Sequence, residues 1–156
     1  MPTTEVVFYR DEDGSVPVLQ WLDDLPLKAR LKCLIRLERL RELGHELRRP
    51  EADLLRDGVY ELRIALNRIQ YRVLYGFQSE TTGEEKVRRP AAEKRKPKEG
   101  AGGREGRKDQ AARRTIAVLA HGLTKEGRVP DEEIDRAALR LNKFRSNPGR
   151  HTYTEH

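Results

Sequence analysis

Residues 58–77 read GVYELRIALNRIQYRVLYGF, and this stretch decides the fold. Two runs of alternating apolar and polar residues are separated by a short break, which is the pattern of two β-strands joined by a tight turn. Successive side chains of a strand point to opposite faces, so the apolar set can be buried together. That set comprises Tyr60, Leu62, Ile64 and Leu66 in the first strand and Ile69, Tyr71, Val73 and Tyr75 in the second.

The polar residues of the same two strands gather on the other face. They are Glu61 and Arg63 in the first strand and Gln70 and Arg72 in the second. Two arginines and a glutamate that face together from paired strands can hold a phosphate group, because a guanidinium binds phosphate oxygens with a fork of N–H donors. The plainer interpretation of Glu61 and Arg63 is a surface cross-strand ion pair.

Length and composition favour one domain with a compact core. The chain has 156 residues, of which 36% are apolar and 37% are charged. The single cysteine, Cys33, excludes an intramolecular disulfide and fits a reducing compartment. We find no apolar run long enough to cross a membrane and no signal peptide. We therefore expect a cytoplasmic protein with no membrane partner.

The positive charge is concentrated in one segment, residues 79–113. This segment has 11 Lys or Arg and 7 Asp or Glu, so it carries +4 of the net charge of +6. Val87 is its one strongly apolar residue, and five of the twelve glycines lie in it. We predict a disordered basic insertion in a single domain of residues 1–156, serving as a tolerated loop or as an RNA-binding arm. Residues 146–156 are predicted to be a loose tail.

The remaining segments predict an α+β fold. We expect a strand at residues 5–10, a helix at 16–24 with Ser15 as N-cap, and a helix at 27–43 closed by Gly44 in the left-handed conformation. A strand at 114–121, a loop at 122–129 and a helix at 130–145 follow. The order of strand, two helices, three strands and helix predicts helices on one side of a mainly antiparallel sheet.

The helix at 27–43 carries apolar residues on more than one side. Leu27, Leu31, Leu34 and Ile35 form one stripe, whereas Cys33, Leu37 and Leu40 lie off it. We therefore expect this helix to pack on both the sheet and its neighbouring helix. Cys33 is predicted to be a small core residue.

Two further polar residues follow from the last strand. If Ile116 and Val118 face inward, then His121 faces outward at the end of the strand, and Lys125 follows four residues later. With Glu61 and the arginines, these residues could meet on one sheet face.

This set of residues suits cleavage of RNA by its own 2′-hydroxyl group, which needs a base, an acid and cations. Glu61 or His121 would be the base, and His121 or Lys125 the acid. His121 could instead simply hydrogen-bond a loop. The sequence has no nucleotide-binding P-loop, no cysteine-rich metal motif and no His-x-x-x-His spacing, so we expect neither a metal nor another cofactor.

Five segments together resemble the RelE/ParE toxin superfamily and, within it, the phage-derived HigB-like group. They are VVFYRDEDG at 6–14, WLDDLP at 21–26, GVYELR at 58–63, YRVLYGF at 71–77 and IAVLAHGLTKEGRVPDEEIDRA at 116–137. The resemblance implies the RelE-like microbial RNase fold and the toxin of a toxin–antitoxin pair. It also implies metal-independent cleavage of mRNA on the ribosome, with a helix-turn-helix, HigA-like antitoxin as partner.

On the family pattern, Arg63, Arg72 and Lys125 occupy cationic positions and His121 is the residue before the loop glycine. With Glu61, which the sheet-face argument adds, the catalytic candidates are Arg63, Arg72, His121, Lys125 and Glu61. The RNA-binding candidates are Arg63, Arg68, Arg72, Lys125 and Arg128. Two departures, the 79–113 insertion and Glu126, leave open a degenerate toxin that binds its antitoxin without cleaving RNA. A non-enzymatic ParE-like inhibitor of DNA gyrase is the other alternative.

Overall fold

In the computed structural model, which describes residues 4–80 and 114–154, three helices pack on a six-stranded mixed sheet. The elements in chain order are β1 (Glu5–Tyr9), α1 (Pro17–Asp23), α2 (Leu27–Leu43), a 3-10 turn (Gly44–Glu46), β2 (Ala52–Arg56), β3 (Val59–Leu66), β4 (Ile69–Glu80), β5 (Arg114–Thr124), α3 (Asp131–Ser146) and β6 (Thr152–Tyr153). The strand order is β2–β3–β4–β5–β1–β6. β1 and β5 are parallel and the other neighbours are antiparallel, which confirms the α+β class and is consistent with a RelE-like fold.

Two tight turns set the strand register, one between β2 and β3 and the other between β3 and β4. Leu66 pairs with Ile69, and the two turn residues between them, Asn67 and Arg68, have φ values of 52° and 69°. Positive φ at both turn positions matches the right-handed twist of the flanking strands. The tight turn expected between β3 and β4 is thus confirmed. A second turn of this kind, Asp57–Gly58, joins β3 to β2, a strand that the sequence analysis did not predict.

The helices lie on both faces of the sheet, so the prediction of helices on one side is wrong. α1 and α2 cover the face that carries Leu62, Val73 and Tyr75. α3 covers the opposite face, where its residues Ile134, Ala137, Leu141 and Phe144 pack on apolar residues of β1, β4 and β5. The physical reason is that these central strands are apolar on both faces, and each face must be removed from water.

α2 has the predicted bounds but a different buried face. Ala29, Cys33, Leu37 and Leu40 are buried, whereas Leu27, Leu31, Leu34 and Ile35 are exposed. The expectation that α2 buries apolar residues on both of these sides is therefore wrong, because the sheet covers only the first set. Burial raises the pKa of Cys33 to about 11, in keeping with its predicted place in the core.

Several element ends differ from the prediction. Val16, not Ser15, is the N-cap of α1, because the Ser15 hydroxyl donates to Oδ1 of Asp13 at 2.7 Å. Gly44 ends α2 with φ of 52°, but its ψ of −124° is not that of a left-handed helical residue. β5 continues to Thr124, so the predicted loop at 122–129 begins too early. Residues 122–124 remain in the strand because they pair with residues 71–73 of β4.

The C-terminal residues are more ordered than the predicted loose tail. His151 is buried, donates from Nδ1 to the Arg10 carbonyl oxygen at 2.8 Å, and stacks on Tyr9. Thr152 and Tyr153 then form β6 beside β1. Of the insertion predicted at 79–113, Ser79 and Glu80 belong to β4, and residues 81–113 lie outside the described part of the chain.

Candidate functional site

The polar residues of β3 and β4 form one cluster on the sheet face that α3 partly covers. Arg63 and Arg72 lie directly opposite each other across the two strands. The carboxylate of Glu61 accepts from both of them: Oε1 lies 2.6 Å from Nη1 of Arg72, and Oε2 lies 2.8 Å from Nε of Arg63. The alternation of the sequence therefore predicts the shared face correctly for these three residues.

Burial makes this cluster more than a surface ion pair. Glu61 is 2% exposed and Arg72 is 7% exposed. Buried charges must be paired and hydrogen-bonded, because each one loses its hydration. Even so, Nε of Arg72 is buried without a hydrogen-bond partner among the described residues. Arg63 is half-buried and also donates to Asp53 at 3.3 Å.

These residues form one wall of an open cleft of about 570 Å³. The other wall is the segment before α3, which contributes Gly127, Arg128 and Val129, together with the start of α3 itself. Arg128 is exposed and has no ion pair with any other described residue, so its charge is available to a ligand. The complete lining is Asp53, Leu55, Arg56, Glu61, Arg63, Gln70, Arg72, Gly127, Arg128, Val129, Asp131 and Ile134.

Arg56 has a structural part in the cleft. Its guanidinium donates to Asp57 at 2.6 Å, to Asp135 at 2.9 Å and to Asp131 at 3.3 Å. These contacts tie the end of β2 to the first turns of α3. The charge of Arg56 is therefore already compensated by carboxylates, unlike that of Arg128.

His121 lies on the same sheet face but outside the cleft. It sits within β5, opposite Leu74, and not at the strand's end as predicted, because β5 runs three residues further. An irregularity of the strand pairing beside it shifts the alternation. Consequently His121 shares the face of Val118, although the sequence pattern predicts opposite faces.

Both ring nitrogens of His121 contact α3. Nη1 of Arg140 lies 3.2 Å from Nδ1, and Oε1 of Glu133 lies 2.5 Å from Nε2. A guanidinium can only donate, so Nδ1 accepts, and Nε2 carries the proton that is donated to Glu133. Burial is the main reason that the pKa of His121 is below its usual value; Glu133 opposes the shift and Arg140 adds to it. The imidazole is thus held neutral beneath the helix.

Lys125 and Arg68 do not line the cleft either. The amide of Lys125 donates to the carbonyl oxygen of Gln70 at 3.0 Å, so Lys125 follows β5 directly beside a cleft residue, and its side chain is exposed. Arg68 is exposed in the turn between β3 and β4.

Three polar residues that bear on the site are not among the predicted candidates. Asp53 binds Arg63, and its strand could have been found from Asp57–Gly58, since Asp-Gly between apolar runs is a strong hairpin signal. Glu133 and Arg140 hold His121 through the packing of α3, for which no local sequence pattern exists.

Comparison with known proteins gives one result for this chain. Residues 20–83 match the family described as Phage derived protein Gp49-like (DUF891). This family is of the RelE/HigB-like toxin type. The matching part contains α2 and the strands β2, β3 and β4, and hence Glu61, Arg63 and Arg72. No curated protein and no solved structure matches the chain.

No helix within residues 4–80 and 114–154 combines the length and the apolar character that crossing a membrane requires.

Proposed function

We propose that this chain is the toxin of a toxin–antitoxin pair and that it cleaves mRNA on the ribosome at the cleft beside Arg63 and Arg72. The observation that carries the proposal is the pair of opposed guanidiniums, fixed by one buried carboxylate, in an open cleft that also contains Arg128, which has no ion pair within residues 4–80 and 114–154. The similarity of residues 20–83 to a phage-derived family of toxin type supports it.

The reaction that suits these residues is attack of the RNA 2′-oxygen on the adjacent phosphorus. The bond from phosphorus to the 5′-oxygen breaks, which leaves a 2′,3′-cyclic phosphate and a 5′-hydroxyl. One proton leaves the 2′-hydroxyl and one is delivered to the departing 5′-oxygen. Negative charge on the phosphorane is stabilised by fixed cations, which act strongly in a site that is partly shielded from water.

We assign the cationic role to Arg63, Arg72 and Arg128. Glu61 is assigned the role of base, since it is the cleft carboxylate bonded to both opposed arginines. When a phosphate takes over part of the bonding of the guanidiniums, a carboxylate oxygen of Glu61 becomes free to accept the 2′-hydroxyl proton. Lys125, beside Gln70 at the cleft, is assigned the role of acid. His121 has no part in this scheme, because its ring is engaged by α3.

The proposal includes two kinds of partner. The ribosome would present the mRNA in an extended conformation, and a helix-turn-helix antitoxin would hold the toxin inactive until it is degraded. Both are proposals that follow from the resemblance to RelE and HigB toxins.

Primer extension on a translated mRNA after brief induction of the chain tests the activity. Cuts within codons, with 2′,3′-cyclic phosphate ends, are expected from the unaltered chain and should disappear in Glu61→Gln. Intact mRNA together with gyrase-linked DNA breaks would contradict the proposal, as would intact mRNA in a folded chain that still binds its antitoxin.

A further inference from the structure

Arg63 is the residue at which β3 loses its strand neighbour on the outer side. Ala52 is the first residue of β2, and it pairs with Leu62. The amide of Arg63 donates beyond the end of that strand, to the carbonyl oxygen of Glu51 at 2.8 Å. In an antiparallel sheet, the N–H and C=O groups of one residue point to the same side of the strand. Both backbone polar groups of Arg63 therefore point away from β4, and the hydrogen bonds between β3 and β4 do not hold them.

The carbonyl oxygen of Arg63 is held by a side chain of α2. Nη1 of Arg36, which is half-buried, donates to this oxygen at 2.8 Å. One helical turn earlier, Nζ of Lys32 donates to the carbonyl oxygen of Ala65 at 2.9 Å. Four residues of a helix rise about 6 Å and two residues of a strand about 7 Å, so the spacing of the two cations matches that of two outward carbonyl groups. α2 thus takes the place of a neighbouring strand along residues 63–65.

Ion pairs connect the two groups that hold the backbone of Arg63. Arg39 donates to both carboxylate oxygens of Glu51, at 3.0 Å and 2.8 Å, and Nε of Arg36 lies 3.9 Å from Oε2 of the same carboxylate. A two-pronged pair between an arginine and a carboxylate is specific in its geometry. The residue that receives the Arg63 amide is thereby tied to the helix that supplies Arg36.

We propose that Arg36 is a positioning residue for Arg63, an inference that rests on the proposed role of Arg63 in RNA cleavage. Arg36 is not among the residues that line the cleft, and α2 packs on the other face of the sheet. Its guanidinium holds the backbone from which the Arg63 side chain extends to Glu61 and Asp53. A misplacement of about 1 Å can slow a catalysed reaction roughly 10²-fold, so this contact bears on the rate without touching RNA.

The alternative role of Arg36 is to stabilise the edge of the sheet and nothing more. Arg36→Met removes the donor to Arg63 and keeps an aliphatic side chain in its place, whereas Arg36→Lys keeps one charged donor. Lys32→Met is the matched control, because it removes a cation that donates to the next outward carbonyl group of the same edge. If Arg36→Met does not fold, Arg36→Gln, which keeps a neutral N–H donor, replaces it in every measurement.

The first measurement needs no RNA. The Nε–H group of Arg63 donates to Glu61, which is buried, so its NMR signal should exchange slowly with water. In Arg36→Met this exchange should become at least about tenfold faster, because the strand opens locally once its carbonyl group has lost a charged donor. Exchange in Lys32→Met should stay within about twofold of the unaltered chain, and Arg36→Lys should recover most of the difference.

The second measurement is the rate of RNA cleavage. Arg36→Met should lower kcat about 10- to 100-fold and change KM less than about threefold, because the displaced cation acts on charge that develops in the transition state. Lys32→Met should keep kcat within about twofold. The effect of Arg36→Met should disappear in an Arg63→Gln background, since a residue that acts through Arg63 has no further effect once that guanidinium is gone.

Three outcomes would overturn the proposal. They are an unchanged exchange rate of the Arg63 Nε–H group in Arg36→Met, an equal change of this rate in Lys32→Met, and a loss of kcat in Arg36→Met that persists in full in the Arg63→Gln background. If the unaltered chain cleaves no RNA, the proposed function fails, and the exchange measurement still decides whether Arg36 positions Arg63.

Discussion

Arg63 and Arg72 lie directly opposite each other on adjacent strands, and the carboxylate of Glu61 accepts a hydrogen bond from each of them. Like charges opposite each other destabilise a pair of strands unless a counter-charge is present. Glu61 supplies it at 2.6 Å and 2.8 Å. The two guanidiniums are thereby held in place without a ligand, which would reduce the reorganisation needed for the proposed binding of a phosphate.

Glu61→Gln separates the chemical role of this carboxylate from its structural role. A glutamine can still accept a hydrogen bond from an arginine but cannot take up a proton, so we expect cleavage to fall about 10²- to 10⁴-fold. Binding of an RNA with a 2′-deoxy sugar at the cut site should change less than about tenfold. The matched control is Asp53→Asn, which alters another carboxylate bonded to Arg63. If Glu61→Gln cleaves at the normal rate, Glu61 is not the base.

Arg128→Ala removes a guanidinium that forms no ion pair with any other described residue. We expect weaker RNA binding with unchanged thermal stability, because the side chain is exposed and unpaired. In a plot of the logarithm of the RNA-binding constant against the logarithm of salt concentration, the steepness of the slope for single-stranded RNA should decrease by about 0.7, the value for one lost phosphate contact. Arg150→Ala, at an exposed position remote from the cleft, should leave the slope as it is. Equal effects of the two substitutions would mean that Arg128 contributes only net charge.

Acid should destabilise the fold through His121. Burial lowers the pKa of His121 in the folded state, so the unfolded chain, with an ordinary pKa of about 6.5, takes up the proton first. The contribution of His121 to the free energy of unfolding is therefore fully present above about pH 6.5 and is lost as the pH falls below that value. His121→Gln should flatten the decline of melting temperature between about pH 7 and pH 5, and His45→Gln, at an exposed histidine, should not. An unaltered pH profile in His121→Gln would show that the imidazole is not linked to folding.

Gly122→Ala should reduce stability, by about 1–3 kcal/mol. A Cβ at residue 122 would overlap the indole ring of Trp21, which packs against the strand backbone. Gly149→Ala is the control, because a Cβ there meets no atom within 4 Å and the backbone has no positive φ. Chemical denaturation of both variants measures the difference. Equal stabilities of the Gly122→Ala and Gly149→Ala variants would mean that the Trp21 ring does not pack against residue 122.

Arg68→Gly tests whether Arg68 serves RNA or only occupies a turn. With φ of 69°, Arg68 is in a conformation that costs an L-residue about 1 kcal/mol, which glycine avoids at some entropic cost. We expect a stability equal to or up to about 1 kcal/mol above that of the unaltered chain. RNA affinity should fall only if Arg68 contacts the RNA, and an unchanged affinity would remove it from the binding residues.

Period-two alternation is the reason that sequence reasoning found Glu61, Arg63 and Arg72. It depends on the backbone alone, and the two-residue turn at 67–68 fixes which residues are opposite. The same rule failed at His121, because an irregularity in the pairing of β4 and β5 shifts the alternation by one residue. A shift of this kind has no counterpart in the local sequence.

Tertiary packing explains the other differences. The apolar pattern of α2 gives two candidate faces, and only the geometry of the sheet decides that Cys33 is buried and Ile35 is exposed. Likewise, the contacts of Glu133 and Arg140 with His121 exist because α3 crosses the face that the sequence analysis left open. By contrast, β2 was predictable from Asp57–Gly58, and with it the position of Asp53.

The pairing of Glu80 with Arg114 keeps the two ends of the intervening 33 residues side by side. Glu80 is eight positions after Arg72 in β4, a path of roughly 27 Å along an extended strand. Any segment that connects Glu80 to Arg114 is therefore attached to the sheet at the end of β4 that is distant from Arg72. A fluorescent label or an affinity tag inserted there would be attached far from the cleft, and the segment could become longer or shorter in evolution without displacing Arg63 and Arg72.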